Sequence, residues 1–239
     1  EACKCYEQAI ALTRESLTEE DLAERLHEYG KFLHDNNQYH KIEAYYQEAL
    51  SIYECLATTC LETHEAKIAM ILNGLGALYY NTQRFDKAEE YYLRALEIRE
   101  RLAKAYPEAY ESYVADTLNN LAVLYYNTQR IDKAKEYYLR ALEIYERLAK
   151  AHPEAYEADV AMTLNNLAVL YKNTQRFDKA EEYYLRALEI YERLASQWPD
   201  VYASNVQIVQ RNLQILKENN QGTPKTTLSF WERLKRLFT

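Results

Sequence analysis

Apolar residues recur along this chain at spacings of three and four, and the whole pattern returns every 46 residues. Leu164, Leu167, Ala168 and Tyr171 stand at i, i+3, i+4 and i+7, which places them on one stripe of a helix. The same stripe stands 46 residues earlier at Leu118, Leu121, Ala122 and Tyr125, and again at Leu72, Leu75, Gly76 and Tyr79. A weaker copy lies at Leu26, Tyr29, Gly30 and Leu33, and the pattern fades at Leu213. After each stripe comes a polar break such as Asn173-Thr174-Gln175-Arg176, where Asn173 is expected to take a left-handed C-cap conformation. A second stripe follows at Ala180, Tyr184, Ala187, Leu188, Tyr191 and Leu194, so each unit predicts two helices. Small residues at Ala168, Ala180 and Ala187 let the helices cross closely, with Tyr184 filling the space beside them. Pro107 and Pro153 mark the connections between units.

The units are placed near residues 19–64, 65–110, 111–156 and 157–202, with a final helix over 203–219. Residues 1–18 echo the second helix of a unit and are assigned to a partial preceding repeat, or N-terminal cap. The chain opens at Glu1 without an initiator Met, which reads as a fragment or a trimmed form. Residues 220–239 are assigned to a linker and a basic, amphipathic tail helix.

The recurring large residue, Leu, Ala or Gly, Tyr, Ala, aromatic and Ala resembles the tetratricopeptide repeat. The set reads Leu164, Leu167, Ala168, Tyr171, Ala180, Tyr184 and Ala187, and recurs as Leu118, Leu121, Ala122, Tyr125, Ala134, Tyr138 and Ala141. It recurs once more as Leu72, Leu75, Gly76, Tyr79, Ala88, Tyr92 and Ala95. Thr117-Leu118-Asn119-Asn120-Leu121-Ala122 with His152-Pro153 is similar to the kinesin-light-chain type and its bacterial relatives. The resemblance implies an all-α fold: a right-handed solenoid of antiparallel helix pairs with an inner groove formed mainly by the first helices. The 46-residue period is longer than the family's, and the excess is assigned to longer helices and a longer connection around Pro107 and Pro153.

On the non-core face of the first helices stand Asn73, Asn119, Asn120, Asn165, Asn166 and Asn212, with Tyr80, Tyr126, Val123, Val169 and Lys172. Asn is a poor helix former, so two per helix is a cost that packing of the helix does not require. A carboxamide both donates and accepts, and a row of them can hold the backbone of an extended peptide. In peptide-binding members of the family, the resemblance implies this role for Asn120, Asn166 and Asn212. Two plainer uses stand beside it: Asn119 and Asn165 as bonds between neighbouring helices, and Asn127 and Asn173 as caps. Tyr80 and Tyr126 suit either stacking on a ligand or ordinary packing. One member of each pair Tyr91-Tyr92, Tyr137-Tyr138 and Tyr183-Tyr184 is core, and the other is expected to bridge to the adjacent unit. The charges of the second helices, among them Asp178, Glu181, Arg186, Glu189 and Arg193, read as a solvated face with i, i+4 pairs.

Composition changes this picture little. Gly and Pro number only four each, Tyr numbers 24, and 48% of residues are hydrophobic, which suits long helices with short connections. The net charge of −8 argues against nucleic acid as a partner. No stretch reaches the roughly 20 apolar residues of a membrane span, and no secretory signal opens the chain, so a cytoplasmic location is expected. Cys3, Cys5, Cys55 and Cys60 lack the usual zinc spacings and are read as buried or half-buried free thiols. The histidines are scattered, and no phosphate loop, H-E-x-x-H or nucleophile elbow is present. The expectation is a non-enzyme with no cofactor and no metal.

The tail differs from the body. Residues 225–239 carry a net +3 against about −11 for the rest. Phe230, Trp231, Leu234, Leu237 and Phe238 form an apolar side suited to covering the last repeat, docking on a partner or second chain, or lying on a membrane, the last being the weakest fit. The sequence thus points to a scaffold that binds a protein or peptide in its groove. The alternative is a structural, oligomerising or regulatory module that self-associates through its tail.

Overall fold

The structure is a computed structural model that describes residues 2–16, 18–58 and 61–222, and among these only helices and short turns occur. The helices are α1 (Ala2–Ser16), α2 (Glu19–Asp35), α3 (Tyr39–Ala57), α4 (Leu61–Asn81) and α5 (Phe85–Ala105). They continue with α6 (Pro107–Asn127), α7 (Ile131–Ala151), α8 (Pro153–Asn173), α9 (Phe177–Gln197) and α10 (Pro199–Gly222). Two compact units divide the chain at Pro153.

The anatomy of the 46-residue period follows directly. Helices α4 to α9 are each 21 residues long. Residues 82–84 separate α4 from α5, and Tyr106 alone separates α5 from α6. The long period is therefore helix length; the longer connection expected around Pro107 and Pro153 is a single residue. Proline explains the sharpness, because its fixed φ and missing N–H suit the first position of a helix, where Pro107 stands.

Within each pair the helices run antiparallel, as their end-to-start contacts establish. Tyr79 at the end of α4 packs its ring 5.1 Å from Tyr91 near the start of α5. At the other end, Arg101 reaches back to Glu65 at 2.6 Å. The second unit repeats both contacts in Tyr171 with Tyr183, 5.3 Å apart, and Arg193 with Glu157 at 2.7 Å. The less buried tyrosine of each pair packs its ring against a first-helix tyrosine of its own repeat. Its partner ring is core: Tyr92, Tyr138 and Tyr184 are buried. An ideal Cβ on Gly76 would lie 2.5 Å from Cδ1 of Tyr92, so this crossing is drawn tight around the ring.

The turn after each first helix is a Schellman closure. The Arg130 N–H donates to the Tyr125 carbonyl at 2.8 Å and the Gln129 N–H to the Tyr126 carbonyl at 3.0 Å. Gln129 is left-handed at φ 60, and Asn37, Gln83 and Gln175 share that conformation. Asn173 does not; it is the last residue of α8, and the left-handed residue falls two positions later. A non-glycine residue here costs about 1 kcal/mol of backbone strain, repaid by satisfying the orphan carbonyls of the helix end.

Successive repeats in the first unit are tied by a carboxylate that serves two donors. Glu89 on α5 accepts from the Tyr125 hydroxyl at 2.9 Å and from Arg130 at 2.6 Å. Glu43 on α3 does the same for Tyr79 at 2.9 Å and Arg84 at 2.8 Å. Other ion pairs of the outer face also run between helices, as Arg94 to Glu54 at 3.1 Å and Arg140 to Glu100 at 2.7 Å do. Of the described cysteines, Cys3 is half-buried, whereas Cys5 and Cys55 are exposed rather than shielded.

Helix α10 ends the array with a changed chemistry. The positions of Ala161, Leu164, Ala168 and Tyr171, all buried on α8, are taken on α10 by Gln207, Gln210, Gln214 and Lys217, all exposed. Its other side remains apolar, with Val209, Leu213 and Leu216 buried. A last repeat needs such a polar outer face to stay in water.

Candidate partner-binding face

The first helices lie side by side. In the first unit Lys67 of α4 pairs with Glu24 of α2 at 2.9 Å, and Asn120 of α6 bonds Asn73 of α4. The register follows from the repeat: residues about one period apart, 43 and 47 positions in these pairs, meet across neighbouring first helices. The non-core face of α2, α4 and α6 therefore forms a surface, as that of α8 and α10 does in the second unit.

The carboxamides on this surface are not independent. Asn120 Nδ2 donates to Asn73 Oδ1 at 3.3 Å, and Asn212 Nδ2 donates to Asn165 Oδ1 at 3.2 Å. The second Asn of one repeat thus reaches the first Asn of the repeat before it. Asn73, Asn120, Asn165, Asn166 and Asn212 are half-buried, while Asn119 is buried and its Oδ1 accepts no hydrogen bond. Asn127 donates to the Val123 carbonyl at 3.1 Å and to the Tyr80 hydroxyl, so it serves the helix end and the neighbouring helix together. Tyr80 also packs on Phe85 at 6.0 Å, and burial raises its phenol pKa. Val123, Tyr126, Val169 and Lys172 are half-buried on the same helices. Every first-helix candidate except the buried Asn119 is thus half-buried, in one unit or the other; Phe230, Trp231, Leu234, Leu237 and Phe238 lie outside the described residues.

Charge on the surface is sparse. Lys31 and Arg211 are exposed, but Lys67 is committed to Glu24. Desolvation, with Lys67 and Lys31 nearby, pushes His27 down to about 4, so the imidazole is neutral at physiological pH. Among the described residues no cluster of His, Cys, Asp and Glu could hold a metal ion, and no helix is long and apolar enough to cross a membrane.

One residue that the sequence reading passed over lies beside this surface. Arg99 on α5 occupies the position held by Tyr53, Tyr145 and Tyr191 in the other repeats, and it is buried. Its departure from the tyrosine series was the available signal.

Known proteins agree with this architecture. Two models of the tetratricopeptide repeat match the chain, one over residues 67–147 and one over 160–199. Among curated proteins none matches the sequence. Among solved structures, BtubC (BKLC) from P. vanneervenii is 24% identical, with 94% of this chain and 92% of that one covered and a TM-score of 0.59. Aspartyl phosphate phosphatase F from Bacillus subtilis is 16% identical with a TM-score of 0.71, over 92% of this chain and 52% of that one. The apo form of RapI is 19% identical with a TM-score of 0.70, over 90% and 73%. At these identities the three share a fold with this chain. The repeat residues, the paired helices and both family matches converge: the chain belongs to the tetratricopeptide-repeat family.

Proposed function

We propose that this chain is a protein-interaction scaffold whose first-helix faces hold a partner segment through the backbone of that segment. Membership of a family of protein-interaction repeats supports the general reading. The carboxamide pairs support the specific one. Asn120 spends one N–H on Asn73 and Asn212 spends one on Asn165. Each bond fixes the orientation of a side chain that keeps a second N–H and a carbonyl oxygen for a partner. Such a group offered to a peptide unit recognises backbone, not side-chain identity.

The test removes the carboxamides without disturbing the core. A chain carrying Asn120→Ala and Asn166→Ala is expected to keep its Tm and lose partner binding about tenfold, since each lost hydrogen bond contributes about 0.5–1.5 kcal/mol. The parent and variant are compared for recovery of partners from a host-cell extract, then by titration of whichever partner is recovered. Undiminished affinity at unchanged Tm would sink this reading.

A second reading, self-association through the tail, gains support from α10. Because its outer face is already polar, the array does not need residues 225–239 to shield it, and their +3 charge and apolar side are left for another acidic body. Deleting 225–239 is then expected to leave Tm within about a degree, as a surface change away from packed features does, and to dissociate any oligomer. A large fall in Tm identifies the tail as a cap; a monomeric parent chain removes the self-association reading.

A further inference from the structure

We propose that the cavity beside Arg99 binds a carboxylate carried on a small apolar body. The cavity has a volume of about 330 Å³ and lies among α4, α5 and α6, with Lys67, Met70, Arg99, Leu102, Tyr110 and Tyr113 in its wall. Arg99 is only 6% exposed. A buried guanidinium is costly unless its charge and its donors are met.

Here they are met in part. Nη1 donates to the Tyr113 carbonyl at 2.9 Å and to Thr117 Oγ1 at 2.6 Å. A guanidinium has five N–H donors, more than these two bonds use, and Arg99 lines the cavity. A guanidinium edge grips a carboxylate through two parallel bonds. Charge agrees with geometry. Asp116 acts on Arg99 through space, but its carboxylate accepts the Tyr145 hydroxyl and makes no bond to the guanidinium. Lys67 is paired with Glu24 at 2.9 Å. Among the described residues lining the cavity, Arg99 is thus the cation with no ion pair, which suits a monoanion better than a phosphate dianion. The Tyr113 ring, 5.4 Å from the guanidinium carbon, and the Met70 and Leu102 side chains supply the apolar wall.

The site is particular to this repeat, because the other three place Tyr53, Tyr145 and Tyr191 where Arg99 stands, and each of those rings is buried. It does not rest on the carboxamide row, so failure of the Asn120 and Asn166 experiment leaves its test intact. The carboxylate can belong to a free acid or to the C-terminus of a peptide, and the arms of the test separate the two.

Isothermal titration of the full chain uses 3-phenylpropanoate and the tripeptide Ala-Ala-Phe with a free C-terminus, each against its own amide. At least one acid is expected to bind saturably and at least tenfold more tightly than its amide. Arg99→Gln, which removes the charge, is expected to weaken that binding at least tenfold. Arg99→Tyr, which restores the residue of the other repeats and fills the space, is expected to abolish it while circular dichroism shows an intact fold. Binding of the propanoate assigns a small free acid; binding of the tripeptide alone assigns a chain terminus. Acids that bind no better than their amides up to 10 mM (about the weakest affinity worth assigning), or an Arg99→Gln chain that binds like the parent, overturn the proposal.

Discussion

Raising the pH above 10 is expected to unfold this protein cooperatively. The cause is the tyrosine core. Tyr29, Tyr53, Tyr79, Tyr125, Tyr145 and Tyr184 are essentially inaccessible, and Tyr46, Tyr92, Tyr138 and Tyr191 are nearly so. Burial pushes the phenol of Tyr53 up to about 12, and it raises those of Tyr46, Tyr92, Tyr138 and Tyr191. For Tyr79 and Tyr125 burial acts first, and the carboxylates of Glu43 and Glu89 that accept their hydroxyls add to it.

The sign follows from proton counting. An unfolded tyrosine loses its proton near pH 10, while the folded one keeps it, so between the two pKa values the unfolded state binds fewer protons and stability falls as pH rises. Below pH 10 the contribution is fully present. Above it, each affected tyrosine removes at most about 1.4 kcal/mol per pH unit. The figure is smaller for Tyr29, Tyr79 and Tyr125, whose hydroxyls reach half-buried or exposed carboxylates where solvent screens the interaction. With several tyrosines acting together, a stability of about 5–15 kcal/mol is exhausted within one to two pH units. Far-ultraviolet dichroism and the part of the tyrosinate absorbance that comes from the buried rings, recorded together, are expected to change in one transition above pH 10. Free titration of the buried tyrosines near pH 10 with helicity intact would refute the argument.

The same tyrosines explain why so much of the fold was legible in the sequence. A period of 46 with Leu164, Leu167, Ala168 and Tyr171 on one stripe leaves a single way to stack, because every repeat must bury the same face against the same neighbour. What escaped depended on side-chain reach. The pattern placed Asn73 and Asn120 on one face, but only coordinates join one carboxamide to another 47 residues away. Asn173 looked like the helix terminator because Asn tolerates a left-handed backbone; the closure is set by hydrogen-bond register, which puts Gln175 there instead. Pro107 and Pro153 suggested long connections because proline breaks helices, yet at the first position it begins one. The contact that the less buried member of each tyrosine pair makes within its own repeat also escaped, because i, i+4 reasoning stops at its own helix, and Tyr91 turns inward to Tyr79. Arg99 was legible only as an exception, and an exception carries no meaning until its surroundings are known.

Replacing Tyr92 with Ala is expected to cost about 3–5 kcal/mol, the range for removing a large ring from a packed core. Gly76 is the reason the cost should be near the upper end. Its Cα lies so close to the ring that an added Cβ would come within 2.5 Å of Cδ1 and 2.6 Å of Cε1. With the ring removed, a glycine and an alanine would face each other across the α4–α5 crossing, and neither has a side chain that can relax into the void. Tyr91, one residue away and half-buried, offers the control: its loss should cost far less, since its ring keeps solvent contact. A compensating change separates cavity from any other effect. Gly76→Leu alone should overfill the site, as Tyr92 occupies it, but in the Tyr92→Ala background it should recover part of the loss. That non-additivity belongs to residues sharing one cavity. Urea unfolding of the four chains measures it directly. Strictly additive effects would mean that Gly76 and Tyr92 do not share the space the geometry assigns to them.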